Sequence, residues 1–436
     1  MSNSFLIKPL LGYDYPTIEY GKGIFLYDSD GKEYVDGCSG AVTANIGHGM
    51  EGIIQKMTIQ GERISFVYRS QFTNEPAEEL AQYLGNEVPY APWCFFVNSG
   101  SEAVETAIKI AIQYWQEKKE CQKQIILSRW ISYHGITLGA LGLSGHGGRR
   151  ERFERSLLDR PLLEPPYCSS CPFEKTYPSC QLLCARQLET VIKRLGAGNI
   201  AAFIAEPIIG AAGGCIDAPI GYYEEIKRIC DKYGILFIAD EVMTGCGRTG
   251  RFLALEHWGV KADIIALGKG LSAGYSPLAA TLVSEKIIQT IENGSGVIMS
   301  GHTYSGNPLS CSAALAVQNF IKDRNLLVNI STLSPILFEK LNELVSLYPF
   351  INEVRGKGYL IGIECTPPEQ SGAEAFTNLM IQSCKEEGLL VYPAGSGIDG
   401  RSLSAIIIAP PFTITLDEID LLLERLKRGL NRIKGE

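Results

Sequence analysis

Lys269 sits in Gly268-Lys269-Gly270, directly after the apolar run Ile264-Ile265-Ala266-Leu267. An amine with glycine on both sides can approach a ligand closely and form an imine with a carbonyl carbon. Three other apolar runs also end in polar residues. Ile235 to Ala239 leads into Asp240-Glu241, Ala201 to Ala205 into Glu206-Pro207, and Cys94 to Val97 into Asn98-Ser99-Gly100-Ser101. A buried carboxylate can keep a heteroaromatic nitrogen protonated, which makes that ring an electron sink. A Ser- and Gly-rich turn that opens a helix offers free N–H groups and a positive helix end to a phosphate. Tyr133, in Ser132-Tyr133-His134-Gly135, supplies an aromatic face for stacking. Each feature alone has an ordinary explanation: a solvated lysine, a helix cap, a turn. Together they suit a phosphorylated pyridine aldehyde.

The elements that must position these residues are legible in the hydrophobic pattern. The strand candidates are Cys94 to Val97, Gln124 to Leu127, Ala201 to Ala205, Ile235 to Ala239, Ile264 to Leu267 and Leu278 to Val283. Several are apolar throughout, as strands buried on both faces should be. From Ser101 to Trp115, apolar residues at 103, 104, 107, 108, 111, 112 and 115 form one helical stripe. Strands alternating with helices predict an α/β fold, with a mostly parallel sheet between crossover helices. In such sheets ligands bind at the carboxyl ends of the strands, where the polar residues lie.

The expected organisation has three parts. Residues 1–55 carry short strands around the turn Asp28-Ser29-Asp30-Gly31 and join a smaller α+β domain. Residues 56–318 form the large ligand-binding domain, with a cysteine-rich insertion at about 160–185, and residues 319–436 form the small C-terminal domain.

The chain has 436 residues, 45% hydrophobic and 20% charged, the balance of an ordinary globular protein. A net charge of −8 without a basic stripe argues against nucleic-acid binding. The start MSNSFLIKPLLGYDYP lacks the pattern of a signal peptide, and no apolar run approaches a membrane span. Thirteen scattered cysteines fit a reducing compartment, so a cytoplasmic protein is expected.

The segments FFVNSGSEAVETAIKIA, SYHG, FIAEPI, FIADEVMTGCGRTG, DIIALGKGLSAGYSPLAA and GHTYSGNPLSCSAALA resemble the class III aminotransferases of fold type I. The likeness extends from YDSDGKEYVDGCSG near the N-terminus to PPFTIT near the C-terminus. It implies a seven-stranded type of large-domain sheet and a pyridoxal 5′-phosphate (PLP) cofactor held as an imine (the internal aldimine) on Lys269. Ser99, Gly100 and Ser101 would bind the phosphate, and Tyr133 would stack on the pyridine. His134 would sit beside the ring, as a proton-transfer group or as packing, and Glu206 nearby. Asp240 would pair with the ring nitrogen, and Val242 would pack on the face opposite Tyr133. Lys269, once released by substrate, would be the general base and acid of the proton shift. Thr303 would reach the phosphate in the partner subunit, which implies a homodimer with shared sites. His302 is expected to be structural, and Arg248 to anchor the loop after Asp240 or the dimer interface.

Two departures narrow the expectation. Relatives acting on α-amino acids often carry a second glutamate five residues after the one matching Glu206; here that position is Ala211. This resembles the subgroup that moves amino groups from amines or ω-amino acids to pyruvate. Arg401, nine residues before Pro410, suits a mobile carboxylate-binding arginine or else a surface loop. The segment Ser39 to Thr43, with Val42, is expected to line a roomy substrate entrance. The second departure is Cys168-Ser-Ser-Cys171 followed by Cys180 and Cys184. Two thiol pairs in a proline-rich insertion could hold a structural zinc, or remain free thiols. The expected activity is therefore a two-step transamination. The rivals are a racemase or aminomutase on the same scaffold, and a PLP-sensing regulator, for which neither terminus offers a DNA-binding segment.

Overall fold

The protein is described by a computed structural model covering residues 5–158, 161–368, 371–397, 399 and 402–434. Its central sheet has the strand order Trp93–Val97, Ala279–Val283, Ile264–Leu267, Leu236–Asp240, Ile200–Ala205 and Ile125–Leu127. Ala279–Val283 runs antiparallel to both its neighbours, and the remaining ladders are parallel. The strands Leu236–Asp240, Ile264–Leu267 and Ile200–Ala205 are buried at every position, which explains their lack of polar alternation.

Among the described residues six strands pair in this sheet, where seven were expected. The seventh position is reduced to one isolated parallel bridge between Arg129 and Leu163. Pro161, Pro165 and Pro166 bracket Leu163 and lack the N–H groups that would extend a ladder.

The helix Gly100–Glu117 lies across this sheet, with Ala103 and Ala107 wholly buried against it. Their small side chains let the helix sit low, and the Thr281 hydroxyl donates to the Ala103 carbonyl at 2.8 Å. Ile110 and Tyr114 are buried too, so the apolar face is wider than the predicted stripe; the helix Glu285–Asn293 covers the extra width. Each fully buried Ile or Leu here contributes about 1.5–3 kcal/mol.

A second group of elements comes from both ends of the chain. Ile18–Lys22, Phe25–Asp28 and Glu33–Asp36 form antiparallel pairs, and Glu33–Asp36 pairs in parallel with Leu389–Leu390. Ile351–Lys357, Leu360–Cys365, Ser404–Ile408 and Tyr392–Ala394 form an antiparallel sheet packed beneath the helices Ala373–Glu386 and Leu326–Leu347. No helix among the described residues is long and apolar enough to cross a membrane.

Candidate active site

The ends of the strands Leu236–Asp240, Ile264–Leu267, Ile200–Ala205 and Trp93–Val97 open on one cavity of about 170 Å³. Its walls include Gly100, Ser101, Tyr133, His134, Glu206, Ala211, Asp240, Val242 and Lys269. The parallel register places Asp240 directly opposite Ala266 on the adjacent strand, so the turn carrying Lys269 begins beside it.

Asp240 is buried and held at both oxygens. The Val242 N–H donates to Oδ1 at 3.1 Å, and His134 Nδ1 lies 2.7 Å from Oδ2. His134 Nε2 is buried and has no hydrogen-bond partner among the described residues. Glu206 accepts from the Tyr133 N–H at 2.8 Å and from the Gly210 N–H at 3.0 Å. Burial raises the Glu206 carboxyl above its ordinary value, and the neighbouring Asp240 adds to this.

Lys269 has a left-handed backbone (φ 42°), an uncommon conformation for a residue with a side chain. Its ammonium donates to the Ala41 carbonyl at 2.9 Å. Burial lowers its pKa to about 8, although Glu206 and Asp240 pull in the opposite direction. An amine near 8 is neutral often enough at physiological pH to act as nucleophile or base.

The helix Gly100–Glu117 begins at the cavity. Ser99 is its N-cap, and its hydroxyl accepts from the Glu102 N–H at 3.2 Å. The N–H groups of Gly100 and Ser101 have no acceptor among the described residues. Gly100 is required by close approach, since a Cβ there would lie 2.6 Å from Val242 Cγ1. The Ser101 hydroxyl accepts from the Ile136 N–H at 3.0 Å, which fixes the loop carrying Tyr133.

This cavity has close counterparts. The sequence profile of the class III aminotransferases matches residues 13–430. The chain belongs to the class III aminotransferases. It is 52% identical over 431 residues to the uncharacterised aminotransferase YodT of Bacillus subtilis, covering 97% of this chain and 96% of that one. It is 31% identical over 423 residues to the putrescine–pyruvate aminotransferase of Pseudomonas aeruginosa, covering 95% and 90%. Its fold superposes with a TM-score of 0.91 on a PLP-bound amine transaminase from an uncultivated Pseudomonas species, at 34% identity and 99% coverage of each chain. The chain is thus a PLP-dependent transaminase of fold type I, similar to the ω-transaminases.

The aminotransferase cavity fits this cofactor on its own features. The two free N–H groups at the helix start could hold the phosphate, and Tyr133 offers a ring face. His134, whose Nε2 has no hydrogen-bond partner among the described residues, and the oriented Asp240 carboxylate line the same space.

Other expected residues lie elsewhere. Val42, expected at the substrate entrance, is 1% exposed and packs in the core. The surrounding backbone is contorted, with positive φ at Ser39, Gly40 and Val42, and this turns the Val42 side chain inward and the Ala41 carbonyl toward Lys269. Thr303 is exposed and does not line this chain's cavity. His302 Nδ1 is 3.9 Å from Glu102. Arg401 lies outside the described residues. Arg248 is fully buried and donates to the carbonyls of Tyr359 and Pro410, to Ser39 Oγ and to Asn45 Oδ1. It therefore ties the loop after Asp240 to segments near both ends of the chain, while burial lowers its pKa to about 9.

Cys168, Cys171, Cys180 and Cys184 line one small cavity in the insertion. Burial raises the Cys184 thiol to about 12, with small additions from Cys168 and Cys180. Among the described residues, no group of three or more His, Cys, Asp or Glu side chains is arranged to hold a metal ion. The thiols converge without forming a ligand sphere.

Several site residues carried no signal in the sequence. Arg129 is fully buried and donates to the Glu206 carbonyl at 2.7 Å, pinning the turn after that strand. Met243 follows Val242 into the cavity wall. Tyr392 comes from the distant C-terminal part, with its ring centroid 5.9 Å from Lys269 Nζ.

Proposed function

We propose that this aminotransferase moves an amino group from an amine or ω-amino acid to a keto acid, with pyruvate as acceptor, in two half-reactions that alternate in one cavity. The observation that carries the reading is the convergence of Lys269, the His134–Asp240 pair and the free N–H groups of Gly100 and Ser101 on that cavity, with the small Ala211 in its wall. Bound there, PLP supplies a pyridine ring that accepts the electron pair of a broken C–H bond.

In this reading Asp240 keeps the ring nitrogen protonated, and His134 and the Val242 N–H hold that carboxylate in place. Ser99 caps the helix whose Gly100 and Ser101 would hold the phosphate, and Tyr133 and Val242, both in the cavity wall, would pack against the ring. Glu206 fixes the Tyr133 backbone. The Lys269 amine takes a proton from one carbon and returns it to another. Residues 56–318 hold this machinery, and residues 1–55 with 319–436 form the smaller domain. The active form is a homodimer in which Thr303 completes the partner's phosphate site. The exposed Phe66, Tyr68, Met299 and Tyr304, on two segments joined by the Arg69 to Ser300 hydrogen bond, supply apolar surface beside Thr303 for that contact.

The test is the visible absorption of the purified holoenzyme with amines and ω-amino acids, without any keto acid. Loss of the cofactor's visible band, restored by pyruvate, is expected. A band that persists while substrate racemises or isomerises would replace this reading with the isomerase one.

A further inference from the structure

Two adjacent arginines follow the Tyr133 loop, and the fold uses them differently. Arg150 is buried; its guanidinium donates to the carbonyls of Leu141, Gly142 and Ser144 and pairs with Glu154 at 3.2 Å. It closes its own turn. Arg149 is half-buried, with its guanidinium carbon 4.3 Å from the centroid of the Tyr133 ring. It also reaches the Tyr392 phenol, whose pKa burial raises and the arginine partly restores. Tyr392 thus touches both cations, since Lys269 Nζ lies over the same ring. The Arg149 charge is felt at Lys269, where it adds to the lowering by burial. No carboxylate among the described residues pairs with Arg149.

A guanidinium held against two tyrosines has its plane fixed, and a fixed fork can receive both oxygens of a carboxylate. Of the charged side chains that line the cavity, Glu206 and Asp240 are acidic and offer a carboxylate nothing, and Lys269 is taken up by the reacting amine; Arg149 stands beside them against the Tyr133 ring. An anion entering the cavity is therefore drawn to the Arg149 side. A substrate must also place its amine at Lys269, which separates its two charged groups along the chain.

We propose that Arg149, positioned by Tyr133 and Tyr392, binds the distal carboxylate of the amino donor and so selects ω-amino acids over plain amines. This rests on the transaminase reading above. It makes Arg149 a specificity-determining residue, with no part in proton transfer.

The experiment compares holoenzyme and Arg149→Gln in the donor half-reaction, using straight-chain ω-amino acids and n-alkylamines of matching length. Binding of pentanoate, which cannot react, is measured in parallel by calorimetry. The ratio of kcat/KM for ω-amino acid over alkylamine is expected to fall about 100-fold, through KM, as for a lost charged hydrogen-bond pair. Pentanoate affinity should fall with it, and Arg149→Lys should recover part of both. Equal losses for the two donor classes, a change confined to pyruvate, or unaltered pentanoate binding would each overturn the assignment. If neither donor discharges the visible band in the unmodified enzyme, the transaminase reading fails. The pentanoate titration still decides the role of Arg149.

Discussion

His134 and Asp240 form one buried unit, with Nδ1 2.7 Å from Oδ2 and side chains 0% and 4% exposed. A carboxylate that deep needs its orientation fixed, because an unpaired buried charge costs several kcal/mol. The imidazole does this from one side, the Val242 N–H does it from the other, and His134 Nε2 is left without a partner among the described residues. His134→Phe preserves the ring's bulk but removes the hydrogen bond. A bond to a charged group contributes about 1.5–3 kcal/mol, so PLP affinity is expected to fall at least about 10-fold. Fluorescence titration of the apoenzyme with PLP measures this, and His134→Gln, which keeps a donor, should lose less. Wild-type affinity in the Phe variant would assign His134 to space filling alone.

Lys269 gives a pH dependence whose sign is fixed by its depressed pKa. The amine falls from 10.5 unfolded to about 8 in the fold. Its favourable contribution is therefore complete above pH 10.5 and is lost as pH falls through about 8. In the apoenzyme, Lys269→Met removes a half-buried cation and is expected to raise stability by about 1–3 kcal/mol at pH 7. The gain should vanish toward pH 10.5, while turnover is lost at every pH. Denaturant melts at pH 7 and pH 10 check this; an identical difference at both would show that the amine titrates normally.

Residues at strand ends were legible because the pattern that marks a buried strand also marks its end. Lys269, Asp240, Glu206 and Gly100 all follow uniformly apolar runs, and the fold carries those runs side by side. Arg149 and Tyr392 had no such marker. One belongs to a short turn, the other to a three-residue strand from the far end of the chain, and only tertiary packing brings both to Lys269. Nor does sequence separate Arg149 from Arg150, since a one-residue rotation decides which faces the site. The placement of Val42 is hidden from the sequence for a related reason. Its positive φ is costly for a β-branched residue, and propensity gives no hint of a contortion held by surrounding contacts.

Gly100 and Val242 are a matched pair. A methyl at position 100 would meet Val242 Cγ1 at 2.6 Å and Cγ2 at 3.1 Å. Gly100→Ala is therefore expected to lower stability by about 1–3 kcal/mol, as overpacking does, and to weaken PLP binding by moving the helix start. Adding Val242→Ala removes both contacts and should restore most of the melting temperature. If the double variant is no more stable than Gly100→Ala, the strain lies elsewhere in the turn.

Ala211 bears on which substrates the cavity admits. It is 5% exposed, lines the cavity together with Glu206 and Lys269, and its carbonyl accepts from the Gly395 N–H at 3.1 Å. A glutamate there would add a third carboxylate to a cavity that already holds Glu206 and Asp240, where burial raises Glu206. Repulsion between the new side chain and an incoming carboxylate acts over a few ångströms at low dielectric, where it exceeds its value in water several-fold. Ala211→Glu is thus expected to raise KM for pyruvate and for ω-amino acids at least about 10-fold, while alkylamine donors change less. Steady-state kinetics with both donor classes measures the split. The effect on carboxylates should weaken as pH falls and the inserted group takes up a proton. A loss that is equal for amines and acids at every pH would mean that volume, not charge, sets the restriction at this wall.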